Sequence, residues 1–324
     1  MSQFCAFHSQ IQALNSARKA FRPTTAATLD KETAMTPPST SDEYPPVSSP
    51  TIGISAVTYQ ARRIVARTSG QRHGPITRLM SPGDLGQMLK PFIFLDYVDA
   101  EGTGPSFGFH PHSGIATLTI PLTFDIEHTT STGQVDKVAQ GGVEWVVAGS
   151  GIWHKAQPIN GTRMLAFQTW FALPPSHELA PPSAMFLQSQ DVPRAGPVTL
   201  LLGTYENMSS RIDAPFDACY LWVQLKAGEI WTYQPSNQHD IAWTFSQSGE
   251  LRIHNEVLKR ELVVFEEGHG ALHFQALSDC AFLVASAAKL PQELSLGNYS
   301  VHSSLEALAA GEQRIKEIGT TLQK

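Results

Sequence analysis

From residue 54 onward, apolar and polar positions alternate in short runs, not at helical spacing. SAVTYQARRIVAR (55–67) alternates as a strand with a basic outer face. KPFIFLDYV (90–98), ATLTIPLTFDIEH (116–128), VEWVVA (143–148) and RMLAFQTWFAL (163–173) follow, the last stopped by Pro174-Pro175. The pattern restarts at VTLLLGTY (198–205) and continues through ACYLWVQL (218–225), DIAWTFS (240–246), ELRIH (250–254), ELVVFEE (261–267), ALHFQAL (271–277) and CAFLVAS (280–286). Turns rich in Gly, Pro, Asn and Ser separate the runs. Many short strands at this spacing predict an all-β fold of barrels or sandwiches, with the Pro-rich segment 174–197 as the seam between two of them.

The pattern changes at the end. In SSLEALAAGEQRIKEIGTTLQK, Ser303 and Glu306 have capping-box spacing, and Leu305, Leu308, Ile315, Ile318 and Leu322 recur at helical spacing. This predicts a terminal amphipathic helix packed on a barrel. The expected organisation is a tail over 1–50, a first barrel over 51–175, a second over 176–300 and a helix over 301–324.

Composition narrows the function classes. The 324 residues are 42% hydrophobic and 16% charged, enough for a sizeable core. A formal net charge of −6 argues against a general nucleic-acid binder, which needs a concentrated basic surface. No run approaches the roughly 20 apolar residues of a spanning helix. Cys5, Cys219 and Cys280 form no close pair, so neither a disulfide framework nor a zinc-thiolate site is expected. Cys219 and Cys280 sit in apolar runs and read as buried thiols. A reducing, cytoplasmic setting and a monomer are the expectations. Residues 1–50 hold six prolines and thirteen Ser or Thr, with no acid before Asp30. That composition fits a disordered tail or an early start ahead of Met35, with an organelle-targeting segment over 1–34 as the competing reading.

The chemistry lies in FGFHPHSGIATLTI (107–120). Residues two apart on a strand share a face, so His110 and His112 converge, together with Gly114, Ala116, Leu118 and Ile120. That apolar face is expected to look into a barrel, and Pro111 places the segment near a rim. Paired imidazoles in an apolar interior need partners for their ring nitrogens. After the turn Gly149-Ser150-Gly151, a third histidine, His154, re-enters a strand. His128 reads as a strand-end residue with a local partner, and His73 as a loop residue. His254, His269 and His273 form no comparable pattern, so the second half reads as metal-free. Trp145, Trp153 and Trp170 read as core.

HxH opening a strand, then GxGxxH, resembles the two half-motifs of cupins. FGFHPHSGIATLT, GGVEWVVAGSGIWH, AFQTWFALP and YSVHSSLEALAAGEQRI together resemble the pirin family over roughly residues 54–320. The resemblance implies a bicupin with two cupin-like β-barrels. Its metal, iron(II) first, lies in the N-terminal barrel on His110, His112 and His154; zinc, nickel, copper and manganese are alternatives. It also implies a fourth ligand, a Glu two residues beyond the third histidine. Ala156 stands there, and Lys155 points away. Three readings stay open: a three-histidine site with an open position, a carboxylate from Glu144 as fourth ligand or base, or a weakened site. The implied activity is a quercetin 2,3-dioxygenase-type reaction on a flavonol or other small aromatic substrate. The competing reading is a non-catalytic, metal-responsive scaffold binding a transcription factor or another protein.

Overall fold

The structure is a computed structural model that describes residues 62–102 and 107–322. Twelve strands run through its first part: β1 (Ile64–Thr68), β2 (Gln71–His73), β3 (Ile76–Met80), β4 (Phe92–Glu101), β5 (Phe107–His112), β6 (Ile115–Pro121), β7 (Ile126–Thr130), β8 (Val135–Val138), β9 (Val143–Val147), β10 (Ile152–Pro158), β11 (Arg163–Ala172) and β12 (Ser183–Leu187). All but β1 build a seven-stranded sheet, β12-β9-β6-β11-β4-β3-β2, and a four-stranded sheet, β5-β10-β7-β8. The second half repeats the plan. Its seven-stranded sheet runs from Arg194–Ala195 through Val198–Leu202, Ala218–Leu225, Cys280–Ala287 and Ile241–Ser248 to Leu262–Phe265 and β1, and a four-stranded sheet accompanies it. The fold is therefore all-β, two sheet pairs with one long C-terminal helix, as the alternating pattern predicts.

Alternation along the strands explains the layering. On β11, Phe167 and Phe171 join Phe92, Tyr220, Trp243 and Phe245 in an apolar layer drawn from both seven-stranded sheets, whereas Met164 and Ala166 turn inward. Each such buried side chain stabilises the packing by about 1.5–3 kcal/mol. Thr169 Oγ1 and Tyr220 OH, 2.9 Å apart, satisfy each other within this layer.

Two strands cross the expected boundary at 175. β1 pairs with Leu262–Phe265 of the second sheet pair, and β12 pairs with β9 of the first. The basic face of β1 explains its placement, since Arg63 bonds Glu266 and Arg67 bonds Glu256 and Glu261. Residues 55–61 of the strand expected there lie outside the described residues, as does the whole 1–50 tail.

The expected side-chain parity also fails between β5 and β6. Gly114 breaks the run at φ +75°, and a Cβ there would collide with the carbonyl of Val301 and the ring of His302. Beyond this kink Ala116, Leu118 and Ile120 face the layer between the two large sheets, while Thr119 faces the interior that His110 shares. The histidines therefore do not share a face with those three apolar residues.

The helix spans Leu305–Leu322, but its cap is Ser304, whose Oγ accepts from Ala307 N at 3.1 Å. Ser303, expected as the cap, instead donates through its N and Oγ to Glu178, each at 2.6 Å. The buried stripe is Ala307, Leu308, Gly311, Ile315 and Gly319, and Leu305 and Leu322 stay exposed. Small residues in that stripe allow close packing: Gly319 lies against Trp153, whose Nε1 donates to Ile315 O at 2.7 Å. Trp153 thus faces the helix.

Candidate metal centre

Three strands carry the site. β5 presents His110 and His112, and β10 pairs with it so that His154 lies opposite His110. β10 also pairs with β7, which carries His128. One nitrogen from each of His110, His112 and His154 lies within 4.8 Å of one from each of the others. His112 and His154 are buried and His110 is half-buried.

Backbone carbonyls set the imidazole tautomers. His110 Nδ1 is 2.8 Å from Gly108 O and His112 Nδ1 is 3.1 Å from Tyr299 O. A carbonyl only accepts, so each Nδ1 carries the proton and each Nε2 keeps its lone pair. His112 Nε2 is buried without a hydrogen-bond partner, and so is His154 Nε2. Metal-ligating histidines use such acceptors, which fix the ring's orientation and free its other nitrogen. Burial pushes His112 down to about 3 and His154 well below the ordinary histidine value. Burial also lowers His110. All three rings are therefore neutral, the form that ligates.

The segment that holds His112 is itself anchored. Ser113 Oγ donates to Ser300 Oγ at 2.8 Å and lies 3.0 Å from His302 Nε2, while His302 Nδ1 lies 3.4 Å from Glu178. Ser113, His302 and Glu178 have the connectivity of a hydrolase triad. All three are buried, and the cavity beside the histidines is not lined by them, so they position β5 and the C-terminal segment.

His128 departs from the strand-end expectation. It is fully buried, with Nε2 2.8 Å from His154 Nδ1 and 3.1 Å from Glu144 Oε1. The signal was present in the alternation of β7, where Ile126, His128 and Thr130 are all buried. Glu144 is inward-facing and 1% exposed, and neither carboxylate oxygen has a hydrogen-bond partner. It approaches His154 from the Nδ1 side, at 4.0 Å, not from Nε2. His128, Glu144 and His154 form a second group whose ligand atoms lie within 4.8 Å.

A cavity of ≈ 50 Å³ adjoins His110 and His154. Ala156 lines it, in the place expected from strand parity, along with Asp96, Thr119 and Gln168 amid apolar side chains. Asp96 was not anticipated from sequence. Burial raises its pKa, opposed by Arg78, which binds both its oxygens and lies over the Phe94 ring. Trp170 stacks on Phe94 with centroids 4.1 Å apart and meets His112 edge-on at 4.8 Å, supporting the site from below. His73 lies on β2, and His269 and His273 have separate partners, His239 O and Thr232 Oγ1.

Comparison with known proteins agrees with this geometry. Residues 74–171 match the family model described as Pirin. A Pseudomonas aeruginosa protein provisionally named as a quercetin 2,3-dioxygenase is 29% identical over 238 residues, covering 68% of this chain and 82% of that protein. A pirin-like protein of Caulobacter vibrioides is 27% identical over 220 residues, covering 64% and 79%. Among solved structures, a quercetin 2,3-dioxygenase from Acinetobacter baumannii superposes with a TM-score of 0.74 at 20% identity, over 80% of this chain and 98% of that one. The bacterial pirin YhhW of Escherichia coli, solved in complex with nickel(II), gives 0.57 at 20% identity, over 71% and 98%. The match to the Pirin family model spans the strands that carry His110, His112, His128, His154 and Glu144, so over those strands this chain is similar to pirins, and its fold is that of the solved quercetin 2,3-dioxygenase.

Proposed function

We propose that the protein is a metal-dependent oxygenase of the quercetin 2,3-dioxygenase type, working on a flavonol or another small aromatic substrate. The observation that carries this is the pair of buried, unpartnered Nε2 atoms on His112 and His154, with their rings held from behind and with His154 lining the cavity. His110, His112 and His154 would hold the ion, with iron(II) the first choice and nickel, named for a bacterial pirin of the same fold, the next. Imidazole donors suit either. Such an ion supplies a Lewis acid for substrate oxygens and a centre for dioxygen chemistry.

The chain's own residues would do the rest. Phe107, Phe124 and Met164 line the cavity with apolar surface and exclude water from the reacting edge. Asp96 is the carboxylate that shares the cavity with His110 and His154, so it takes the place of the glutamate missing at Ala156 as proton acceptor. Arg78 orients it through two hydrogen bonds.

The test is oxygen uptake by iron-loaded protein, with quercetin beside one-ring and open-chain hydroxy-ketones. Uptake with at least one of them, lost in His112→Ala, is expected. No uptake with any of them, by protein shown to hold iron, would refute the oxygenase reading.

A further inference from the structure

We infer that the same barrel has a second divalent-cation site, behind the first, formed by His128 Nε2, Glu144 Oε1 and His154 Nδ1, with the His154 ring bridging the two. The inference rests on the proposed role of His154 Nε2 in the first site. It follows from the convergence of three buried ligand atoms and from a buried carboxylate with no hydrogen-bond partner.

His128 Nε2 faces both His154 Nδ1, at 2.8 Å, and Glu144 Oε1, at 3.1 Å. It has room for one proton or one lone pair. If it carries a proton, it donates toward both neighbours. His154 must then hold its own proton on Nε2 and is lost to the first site. If it carries a lone pair, it accepts from His154 Nδ1, and His154 is free to ligate. Glu144 then confronts a lone pair, and a carboxylate 1% exposed has no hydrogen bond at either oxygen. Leaving a buried carboxylate uncompensated is costly. Neither tautomer of His128 both frees His154 Nε2 for the first site and compensates an ionised Glu144.

A cation at the junction serves both. The three ligand atoms are separated by 2.8, 3.1 and 4.0 Å. The point equidistant from them lies about 2.0 Å from each, the length of a zinc–nitrogen or zinc–carboxylate bond. Two imidazoles and a carboxylate are a donor set for zinc, copper or nickel. The carboxylate charge is then neutralised, and loading displaces the remaining His154 ring proton to solvent. His128 Nδ1, buried and unpartnered, keeps the other proton of that ring. Phe186 lies against the His128 ring, with centroids 5.2 Å apart.

The experiment is zinc titration of metal-free full-length protein, followed by desalting, elemental mass spectrometry and anomalous diffraction at the zinc edge. Wild type is expected to retain two equivalents, with anomalous peaks on both sides of His154. Glu144→Gln and His128→Asn should each retain one, at the first site, and His110→Ala/His112→Ala should retain one, at the second. One equivalent in wild type, unchanged in Glu144→Gln, would overturn the second site and leave the first intact. One peak on the Glu144 side only would leave the second site and refute the first. No retained zinc and no peak would refute both. The wild-type stoichiometry decides the matter even if the variants fail to fold.

Discussion

The two halves of the molecule share a sheet plan and differ in how they treat buried polar groups. In the second half, the interior is filled by Val, Leu and Phe side chains, and its polar insertion is closed on itself. Tyr233 OH and His239 Nδ1 both meet Ser286 Oγ, at 2.6 and 2.7 Å, and His239 Nε2 meets Asp217 at 2.9 Å. In the first half, His112 Nε2, His154 Nε2, His128 Nδ1 and both Glu144 oxygens are buried without partners. Buried polar atoms in native proteins are nearly always paired. The satisfied network therefore reads as structure, and the unsatisfied one as a place that receives something. Histidine content does not distinguish the halves, since the second also carries several.

The largest effect that would break this comparison is at His154. His154→Ala removes the residue common to both groups of ligand atoms. It should abolish metal retention and oxygen uptake while far-UV circular dichroism stays unchanged. Next is Asp96→Asn. If Asp96 accepts the substrate proton, kcat should fall by about 10²–10⁴ with metal content preserved, as measured by single-substrate kinetics beside elemental analysis.

Acid should unfold the metal-free protein through its first half. The folded His112 titrates near 3, against 6.5 for the ordinary side chain. Between these values the unfolded chain binds a proton that the folded chain refuses. The stability tied to this group is therefore fully present above pH 6.5 and is lost as pH falls toward 3, by up to about 1.4 kcal/mol per unit. Urea melts of chelator-treated protein across that window should show it, and a flat profile would contradict the burial of neutral His112.

Smaller effects separate the halves further. Ser286→Ala strips the shared partner from Tyr233 and His239 and should cost about 1–3 kcal/mol in the same melts, with metal affinity unaltered. Ala156→Glu supplies a carboxylate beside His154 in the cavity. It should tighten metal retention by on the order of tenfold. An unchanged Kd would mean that the fourth position is already served.

Much of this was legible in the sequence because period-two alternation is a local property. HPH and GSGIWH name the strands β5 and β10 and the residues they turn inward. What escaped depends on non-local events. Parity across residues 112–116 is reset by the Gly114 kink, whose cause is the C-terminal segment around Val301 and His302. β12 lies inside a Pro-rich segment that reads as a connection, and only the open edge of β9 makes it a strand. The helix stripe moves because Gly311 and Gly319 approach Ser113 and Trp153 more closely than leucine could. Asp96 gains its place in the cavity from Arg78, eighteen residues earlier on an adjacent strand. Glu144 could be paired with Val146 by parity, but its direction required the sheet.

The central claim is that the first barrel holds a metal on His110, His112 and His154. It is tested most directly by elemental mass spectrometry of protein purified without chelator and then supplied with iron(II), wild type beside His110→Ala/His112→Ala. The account predicts that the variant retains one equivalent less than wild type. Equal metal content in the two proteins, or none in either, would contradict it.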